Sequence, residues 1–431
     1  MLLRINRLLL SILGIVLSVL LCFSLILPVK AEATMWDKTY GGIATENCSS
    51  AIETSDGGYA MVGQTYSFGA GDSDIWLVKT DSYGNLEWNK TFGTQDHEEA
   101  NHLTSTDDGG YIIVGTCTPS GFEYRDAWII KTDSYGNRQW NKTYGGNGDD
   151  KPWRIIKTSD NGYAIAGRTS SYSAGQNDYL LFKIDSTGNL QWNTTFGGAE
   201  EESARGILET PDNGFLLTGW SGSYGAGELD YWLVKTDENG IHEWNQTYGG
   251  TKTERAITTI PTNDGNYITV GNTASFGQGE TDIYLIKTDN FGNLIWNLTY
   301  GGVSAETPFD IIKTSDGGYG ITGHSFSFGV GENDIWFIKI DSVGNVIFNQ
   351  TYGGERADSS RAVFQKSDRG YVIAGSTFSF GQGESDFWLV KTDENGVVPE
   401  AAWVILPLMV IATVSIVISK KKLIRQCSRE R

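Results

Sequence analysis

The chain of 431 residues carries 33 Lys and Arg against 52 Asp and Glu, a formal net charge of −19, with 54 Gly and only 8 Pro. Without residues 1–33 and 401–431, 24 basic and 50 acidic residues remain, a net charge of −26. So acidic a surface repels nucleic acid and anionic lipid, and it suits a solvated extracellular domain or divalent cations. Many glycines and 12% aromatic residues predict strands joined by Gly-rich turns, not helices.

The first 33 residues have the pattern of a signal peptide. Arg4 and Arg7 precede an apolar run over residues 8–28, and residues 31–33 (Ala-Glu-Ala) have the small-x-small form that signal peptidase cleaves. The apolar run is longer than most signal peptides have, so an uncleaved anchor is the alternative interpretation.

From residue 36 onward the chain repeats itself every 52 residues. One copy contains DIWLVKT, a short turn and LEWNKTF, and its tryptophan recurs in six copies with Phe in the seventh: Trp36, Trp88, Trp140, Trp192, Trp244, Trp296 and Phe348. Seven copies account for the chain from residue 36 to residue 399. A period of this length with no remainder predicts one closed array of repeats, not several separate domains.

Each copy contains four strand candidates. In the first copy these are Trp36–Tyr40, a strand near residues 50–54, one over residues 59–67 and one over Asp74–Thr80. Four antiparallel strands in about 50 residues is the period of a propeller blade. We therefore predict an all-β fold, a seven-bladed β-propeller over residues 34–398. One glycine recurs in the third strand, where a neighbouring backbone would come too close for a side chain: Gly63, Gly115, Gly167, Gly219, Gly271, Gly323 and Gly375.

The two ends of the repeat region complement each other. The last copy has no tryptophan strand after residues 393–396, whereas the strand at Trp36–Tyr40 precedes the first complete copy. Pairing that N-terminal strand with the last blade closes the ring and leaves no unpaired edge.

The repeat resembles two propeller families. DGGYxIxGxT followed by DxWLVKTD and Trp is similar to a kelch repeat, although the double glycine that kelch repeats carry after the strand is a single glycine here. The spacing from Asp81 through Gly84 to Trp88 resembles the tryptophan-docking motif of quinoprotein-like propellers, and it recurs down the chain. Both resemblances imply architecture and leave activity open, because fold does not carry function.

Residues beyond 398 predict a membrane anchor. Residues 399–419 include a 19-residue apolar run without charge, long enough to span a bilayer, and the basic tail 420–431 begins with three lysines. This arrangement predicts one membrane-spanning helix, an extracellular propeller and a short cytoplasmic tail. The segment that begins at Pro399 and Glu400 resembles archaeal surface-protein tails that begin Pro-Glu-Phe, with Ala401 in place of Phe.

No catalytic motif is visible. The four histidines occupy unrelated repeat positions, so they form no metal-binding pair or hydrolase triad. Cys48 and Cys117 lie in the predicted ectodomain at different repeat positions, and we expect them to be two buried thiols, with a disulfide as the alternative.

Two polar features recur down the chain, a carboxylate in all seven copies and a glycosylation acceptor in six of them. A carboxylate before the second strand could form an acidic ring that attracts Ca²⁺ at the channel mouth, or could cap loops by accepting backbone hydrogen bonds: Glu46, Glu98, Asp150, Glu202, Glu254, Glu306 and Asp358. N-glycosylation acceptors recur after the tryptophan, with a seventh elsewhere in the repeat: Asn89, Asn141, Asn193, Asn245, Asn297, Asn349 and Asn47. Either feature could instead be a structural element copied with the repeat.

The copies differ most around the irregular loops, which is where an asymmetric site would lie: Asn101, His102, Trp153, Arg154, Arg205, Phe309, Asp310 and Arg361. Candidate ligand-binding residues there are His102, Trp153, Arg154, Arg205 and Arg361. Trp153 offers a stacking surface for sugars, and the arginines offer hydrogen-bond donors. We therefore expect a membrane-tethered recognition or adhesion module for a glycan, a protein or another surface ligand. An extracellular carbohydrate-active hydrolase is the alternative, and a quinoprotein-type dehydrogenase is a more distant one.

Overall fold

The computed structural model describes residues 35–118 and 124–398. The predicted signal peptide (1–33), membrane segment (399–419) and tail (420–431) lie outside these ranges. Within them, no helix is long and apolar enough to cross a membrane. The strands form seven antiparallel sheets of four strands each, which confirms the predicted seven-bladed β-propeller.

Twenty-eight strands build the seven blades in chain order. The first, β1 (Trp36–Tyr40), belongs to the seventh blade. The remaining strands are, blade by blade, β2–β5 (Glu46–Glu53, Tyr59–Thr65, Asp74–Thr80, Leu86–Phe92), β6–β9 (Glu99–Ser105, Tyr111–Cys117, Asp126–Thr132, Arg138–Tyr144), β10–β13 (Asp150–Lys157, Tyr163–Thr169, Asp178–Ile184, Leu190–Phe196), β14–β17 (Glu202–Glu209, Phe215–Ser221, Asp230–Thr236, His242–Tyr248), β18–β21 (Glu254–Pro261, Tyr267–Thr273, Asp282–Thr288, Leu294–Tyr300), β22–β25 (Glu306–Lys313, Tyr319–Ser325, Asp334–Ile340, Val346–Tyr352) and β26–β28 (Asp358–Gln365, Tyr371–Thr377, Asp386–Lys391).

The first strand of each blade is innermost and the tryptophan strand is outermost. In the first blade the order is β2-β3-β4-β5, and the other blades repeat it. Successive innermost strands contact one another around the whole ring, including β26 with β2. The seven innermost strands therefore surround a central channel.

The hydrophobic core lies between neighbouring blades. One cluster joins Tyr59 and Trp76 of the first blade to Phe387 and Leu389 of the seventh, all almost fully buried. The two middle strands of a blade have apolar residues on both faces because each face packs against a different neighbour. Each sheet is thus buried between two others, as the sequence pattern predicts.

The N-terminal strand closes the ring. β1 pairs antiparallel with β28 over five residues, from Trp36 opposite Lys391 to Tyr40 opposite Phe387. The seventh blade therefore has the order β1-β28-β27-β26 and contains both ends of the repeat region. This confirms the closure predicted from the two incomplete ends.

The outer strands attach each blade to the next. The Trp88 ring lies so close to Gly136, on the following blade's turn, that an added Cβ would come within 2.5 Å of it. Gly136 has φ +74°, which suits glycine in a turn. Tyr144 donates a 2.5 Å hydrogen bond from its hydroxyl to the Gly188 carbonyl in the equivalent turn one blade on.

Candidate functional site: an axial cavity

A β-bulge in every innermost strand aims one side chain at the axis. In β2 the pairing with β3 skips one residue between Cys48 and Ser50, and the same shift occurs at the equivalent place in the other six blades. An extra residue in one strand stays out of the ladder and redirects its side chain. The seven bulged residues all line one cavity on the axis: Ser49, Asn101, Trp153, Arg205, Ile257, Phe309 and Arg361.

The recurring glycine of the neighbouring strand makes room for this bulge. Gly219 pairs with Ala204, next to the bulged Arg205, and an added Cβ on Gly219 would lie 1.9 Å from the Ser203 carbonyl oxygen. The other six glycines face the equivalent carbonyl at 1.9–2.2 Å. The close backbone approach predicted at these glycines is therefore confirmed, and its cause is the bulge.

The cavity gathers all five candidate ligand-binding residues. It measures about 220 Å³, and its lining includes His102, Trp153, Arg154, Arg205 and Arg361. These residues come from four blades and meet only because the ring closes. The lining also contains Asn101, Phe309 and Asp310, which are among the positions where the copies differ most, and six residues that the sequence did not single out: Ser49, Ser50, Ala51, Glu99, Ile257 and Ala362. A usable signal was the position three residues after the recurring carboxylate, which holds six different residue types among the seven copies although the backbone around it repeats.

Arg205 stacks on Trp153 and lies 5.8 Å from the centre of a second ring, that of Trp220. Its guanidinium carbon lies 3.6 Å from the centre of the Trp153 ring. Lys151 Nζ lies 4.2 Å from the same centre, and Trp153 Nε1 donates a 3.1 Å hydrogen bond to Ser203 Oγ. Across residues 35–118 and 124–398, the Arg205 guanidinium forms neither a hydrogen bond nor an ion pair. Because Arg205 covers this face of the Trp153 ring, the face is not free to stack on a sugar. The role of Trp153 is instead to hold the arginine in position.

The charge of Arg205 is poorly compensated. Burial, followed by the nearby positive charges of Arg361 and Arg168, lowers the pKa of Arg205 to about 9. The negative charge of Glu99 opposes this lowering of the pKa. Glu99 is itself ion-paired with Lys151, whose Nζ lies 2.6 Å from the carboxylate. An excess of positive charge in a partly desolvated space favours the entry of an anion.

Arg361 and Arg154 add two more cations to the lining. Arg361 lies 3.9 Å above the Phe309 ring and donates hydrogen bonds from Nη1 to Ser359 Oγ at 3.0 Å and to the Ser360 carbonyl at 3.1 Å. Arg154 donates a 2.5 Å hydrogen bond from Nη1 to Thr258 Oγ1. Neither arginine has a carboxylate within ion-pair distance in the described structure.

Asp310 is the carboxylate that faces Arg154. Burial raises the pKa of Asp310 to about 6, against the opposing effects of Arg154 and of the backbone N–H groups of Val363 and Ile311. The Val363 N–H donates a 3.1 Å hydrogen bond to Asp310 Oδ2. Asp310 thus carries a negative charge near neutral pH and loses it in mildly acidic solution.

His102 is a neutral base in this setting. Its Nδ1 is buried and has no hydrogen-bond partner in the described part of the chain. Burial, and then the charge of Arg154, lower the pKa of His102 well below its ordinary value. The imidazole therefore contributes no positive charge to the cavity at neutral pH.

The seven recurring carboxylates are buried inside their own blades instead of surrounding the channel mouth. Glu46 accepts hydrogen bonds from the Gly42 N–H at 2.7 Å, Thr65 Oγ1 at 2.9 Å and the Ser67 N–H at 3.1 Å. This is the loop-capping arrangement that the sequence left open. None of the seven lines the axial cavity, and the described residues contain no group of three or more His, Cys, Asp or Glu placed to hold a metal ion: Glu46, Glu98, Asp150, Glu202, Glu254, Glu306 and Asp358.

Each of these carboxylates faces a second one from the preceding blade. Asp230 Oδ1 and Glu254 Oε2 lie 1.8 and 2.6 Å from the position that a Cβ on Gly249 would occupy, so the two oxygens are less than about 5 Å apart. Asp230 Oδ2 accepts hydrogen bonds from the Ala226 and Gly227 N–H groups, whereas its buried Oδ1 has no partner. Burial, and also the charge of Glu254, raise the pKa of Asp230.

The predicted glycosylation acceptors fall into two environments. Six lie on the outermost strands and are exposed: Asn89, Asn141, Asn193, Asn245, Asn297 and Asn349. Asn47 lies on the innermost strand β2 and is half-buried. Cys48 and Cys117 are free, buried thiols, as expected, and burial raises the pKa of each to about 12.

Comparison with known proteins supports the fold and leaves the activity open. No protein-family model matches the chain. Regulatory protein FlaEY of Caulobacter vibrioides is 24% identical over 163 residues, which is 32% of this chain and only 17% of FlaEY.

Three solved structures illustrate the architectural likeness. A polysaccharide lyase solved with -[GlcA(1-4)Rha3S]- bound is 9% identical, with a TM-score of 0.50 over 85% of this chain and 98% of its own. YCF48 bound to D1 peptide is 12% identical (TM-score 0.49, 87% and 98% covered). The propeller domain of the Trilobed protease from Pyrococcus furiosus is 9% identical (TM-score 0.46, 84% and 99%). These likenesses concern the propeller alone.

Proposed function

We propose that this chain is a recognition module at the cell surface that binds its ligand in the axial cavity without chemically changing it. The observation that carries the proposal is the position of the bulges. Seven equivalent backbone sites hold Ser49, Asn101, Trp153, Arg205, Ile257, Phe309 and Arg361, and all seven side chains line one cavity. Where a repeated fold leaves a residue free and aims it at a shared space, that space is the natural ligand site.

The proposed setting is extracellular. Residues 1–33 would direct export, residues 399–419 would tether the propeller to the membrane, and residues 420–431 would remain in the cytoplasm. The ligand would be a glycan or a protein outside the cell. The strongly acidic repeat region is consistent with a solvated surface and argues against nucleic acid as the partner.

Binding of an immobilised glycan and surface-protein array by the purified full chain tests the proposal. Replacement of Trp153, Arg154 and Arg205 together by Ala should abolish binding to whichever array member is recognised, while circular dichroism shows that the fold is kept. The matched control replaces Tyr135, Arg138 and Phe291, three exposed residues away from the cavity, by Ala. If the control variant loses binding and the cavity variant keeps it, the ligand binds outside the axial cavity and the proposal is wrong.

Carbohydrate cleavage is the second candidate function, and Asp310 is the observation that favours it. A buried carboxyl group whose pKa is raised to about 6 in a ligand cavity takes up and releases a proton close to neutral pH, which is what a general acid must do. Incubation with a polysaccharide panel, followed by analysis of reducing ends, tests this candidate. Cleavage that Asp310→Asn abolishes would replace recognition with hydrolysis as the function.

A further inference from the structure

We infer that the axial cavity binds the carboxylate of an acidic sugar, with Arg205 as the group that holds the anion. This inference rests on the proposed function, since it assigns a ligand class to the same cavity. Its basis is the unusual state of Arg205, which is stacked and held in position by Trp153 but forms no hydrogen bond or ion pair in the described structure.

An unpaired guanidinium of this kind is prepared for a carboxylate. Arg presents its N–H donors in a planar fork that matches two carboxylate oxygens, and stacking on an aromatic ring leaves the edge of that fork free. Arg361 nearby raises the local positive potential further, whereas Glu99 offsets the charge of Lys151 on the same tryptophan. A carboxylate at this place would relieve the repulsion among the cations that already lowers the pKa of Arg205.

The rest of the lining suits a sugar ring. Ser49 and Ser50 present hydroxyl groups that make no hydrogen bond within residues 35–118 and 124–398, and they lie in a different blade from Arg205. Ala51 and Ala362 add small apolar surface beside them. A ligand with an anionic end and several hydroxyl groups can use both parts of the lining at once, whereas an acidic peptide side chain would leave the serines unused.

The volume also limits the ligand. About 220 Å³ is less than the roughly 300–1,000 Å³ of sites that take drug-sized molecules. The cavity therefore accommodates a small unit, such as one acidic residue at the end of a glycan, and not a long segment of chain. Its position on the axis, with strands on every side, fits recognition of an end.

Titration of the purified full chain with glucuronate, glucose and a short poly-glutamate peptide tests the inference by calorimetry. We expect glucuronate to bind measurably. Glucose lacks the carboxylate and should bind at least about tenfold more weakly, because a charged hydrogen-bonded pair typically changes affinity by about a factor of ten or more. Poly-glutamate should not bind, because it leaves the serine hydroxyl groups of the lining unused. Arg205→Met should weaken glucuronate binding about tenfold or more. The matched control is Arg138→Met, which removes an exposed positive charge on the outermost strand β9.

A second variant distinguishes weaker binding from misfolding. Arg205→Lys keeps the charge and much of the side chain but loses the planar fork, so it should fold normally and still bind glucuronate more weakly than the unmodified chain. Equal affinity for glucose and glucuronate, with no effect of either Arg205 variant, would overturn the inference while leaving a neutral-ligand form of the proposed function intact. Poly-glutamate binding that depends on Arg205 would replace the sugar with an acidic peptide. Array binding that is unchanged when Trp153, Arg154 and Arg205 are all replaced by Ala would refute the proposed function itself.

The affinity should also depend on pH in a defined direction. Asp310 faces Arg154 and the N–H groups of Val363 and Ile311, and the nearby His102 is already neutral. As the pH falls through about 6, Asp310 takes up a proton and the cavity loses a negative charge. Glucuronate, which stays ionised there, should then bind more tightly at pH 5 than at pH 7.5, and Asp310→Asn should remove this difference. Weaker binding at pH 5 would contradict the assignment of the anion to this cavity.

Discussion

Removal of β1 is expected to destabilise the whole propeller and not only one blade. The deletion of residues 36–40 takes away five residue pairs with β28, the packing of Trp36 on Tyr59, and the buried Tyr40 with its hydrogen bond to the Gly84 carbonyl at 2.5 Å. It also exposes the edge of β28, whose side chains are buried in the core. The deletion therefore affects both the seventh blade, which contains β28, and the first blade, which contains Tyr59.

The magnitude follows from these contacts. Each net backbone hydrogen bond contributes about 0.5–1.5 kcal/mol and each buried aromatic side chain about 1.5–3 kcal/mol. The loss is thus on the order of 5–10 kcal/mol, comparable with the total stability of a typical domain. Because the blades depend on one another for their cores, the deletion should shift unfolding of the entire domain.

Thermal and urea unfolding, followed by circular dichroism and by tryptophan fluorescence, measures this effect. The deletion variant should unfold at a much lower temperature or fail to fold, and both signals should change together. Lys38→Ser, which alters an exposed side chain of the same strand, is the control and should have almost no effect. A melting temperature for the deletion variant within a few degrees of the intact chain would refute closure by β1 as a source of stability.

Three further outcomes are expected. Gly219→Ala should destabilise the fold by several times more than Gly317→Ala, because the first places a Cβ against a backbone carbonyl whereas the second meets only the strain of φ +86°, and urea unfolding compares them. Asp230→Asn should raise the melting temperature at pH 7.5, since its amide can donate to Glu254 where two carboxylates now face each other. The gain should shrink as the pH falls, because the raised pKa means that the folded wild type takes up a proton and loses this repulsion; a constant gain across pH would contradict the charge argument. If the host attaches glycans, mass spectrometry should find them on the outermost-strand acceptors and not on the half-buried Asn47; occupancy of Asn47 alone would reverse that expectation.

Sequence periodicity predicted most of the fold for a physical reason. Every blade solves the same packing problem, so the residues that build it recur: the tryptophan that docks on the next turn, the glycine beside the bulge and the acid that caps the loop. β4 has the predicted bounds Asp74–Thr80, whereas β2 begins at Glu46 and not near residue 50, because the capping carboxylate is itself the first residue of the strand. The residues that recur in every copy are therefore the ones that the backbone of every blade requires.

The same logic explains what sequence could not predict. Variation among the copies indicated Trp153, Arg154 and Arg205, but the bulge is a property of strand register, and the recurring glycine beside it does not say which residue of the innermost strand is bulged. Without it, whether a residue of the innermost strand faces the axis or a neighbouring blade is undetermined. The stacking of Arg205 on Trp153, which changes the tryptophan from a sugar platform into a support, depends on contacts between two blades and was not foreseeable from either copy alone.

The location of β28 determines how the ring bears mechanical load. The chain leaves the propeller after β28, and this strand lies in the interior of its sheet, between β1 and β27. A pull on the chain beyond residue 398, with the propeller held by a ligand on its axis, acts along β28 and loads both of its ladders in shear at the same time. A strand at the edge of a sheet would instead be peeled away one pair at a time. Pairing the first strand with the last thus places the strand from which the chain leaves the propeller inside its sheet, where two ladders hold it.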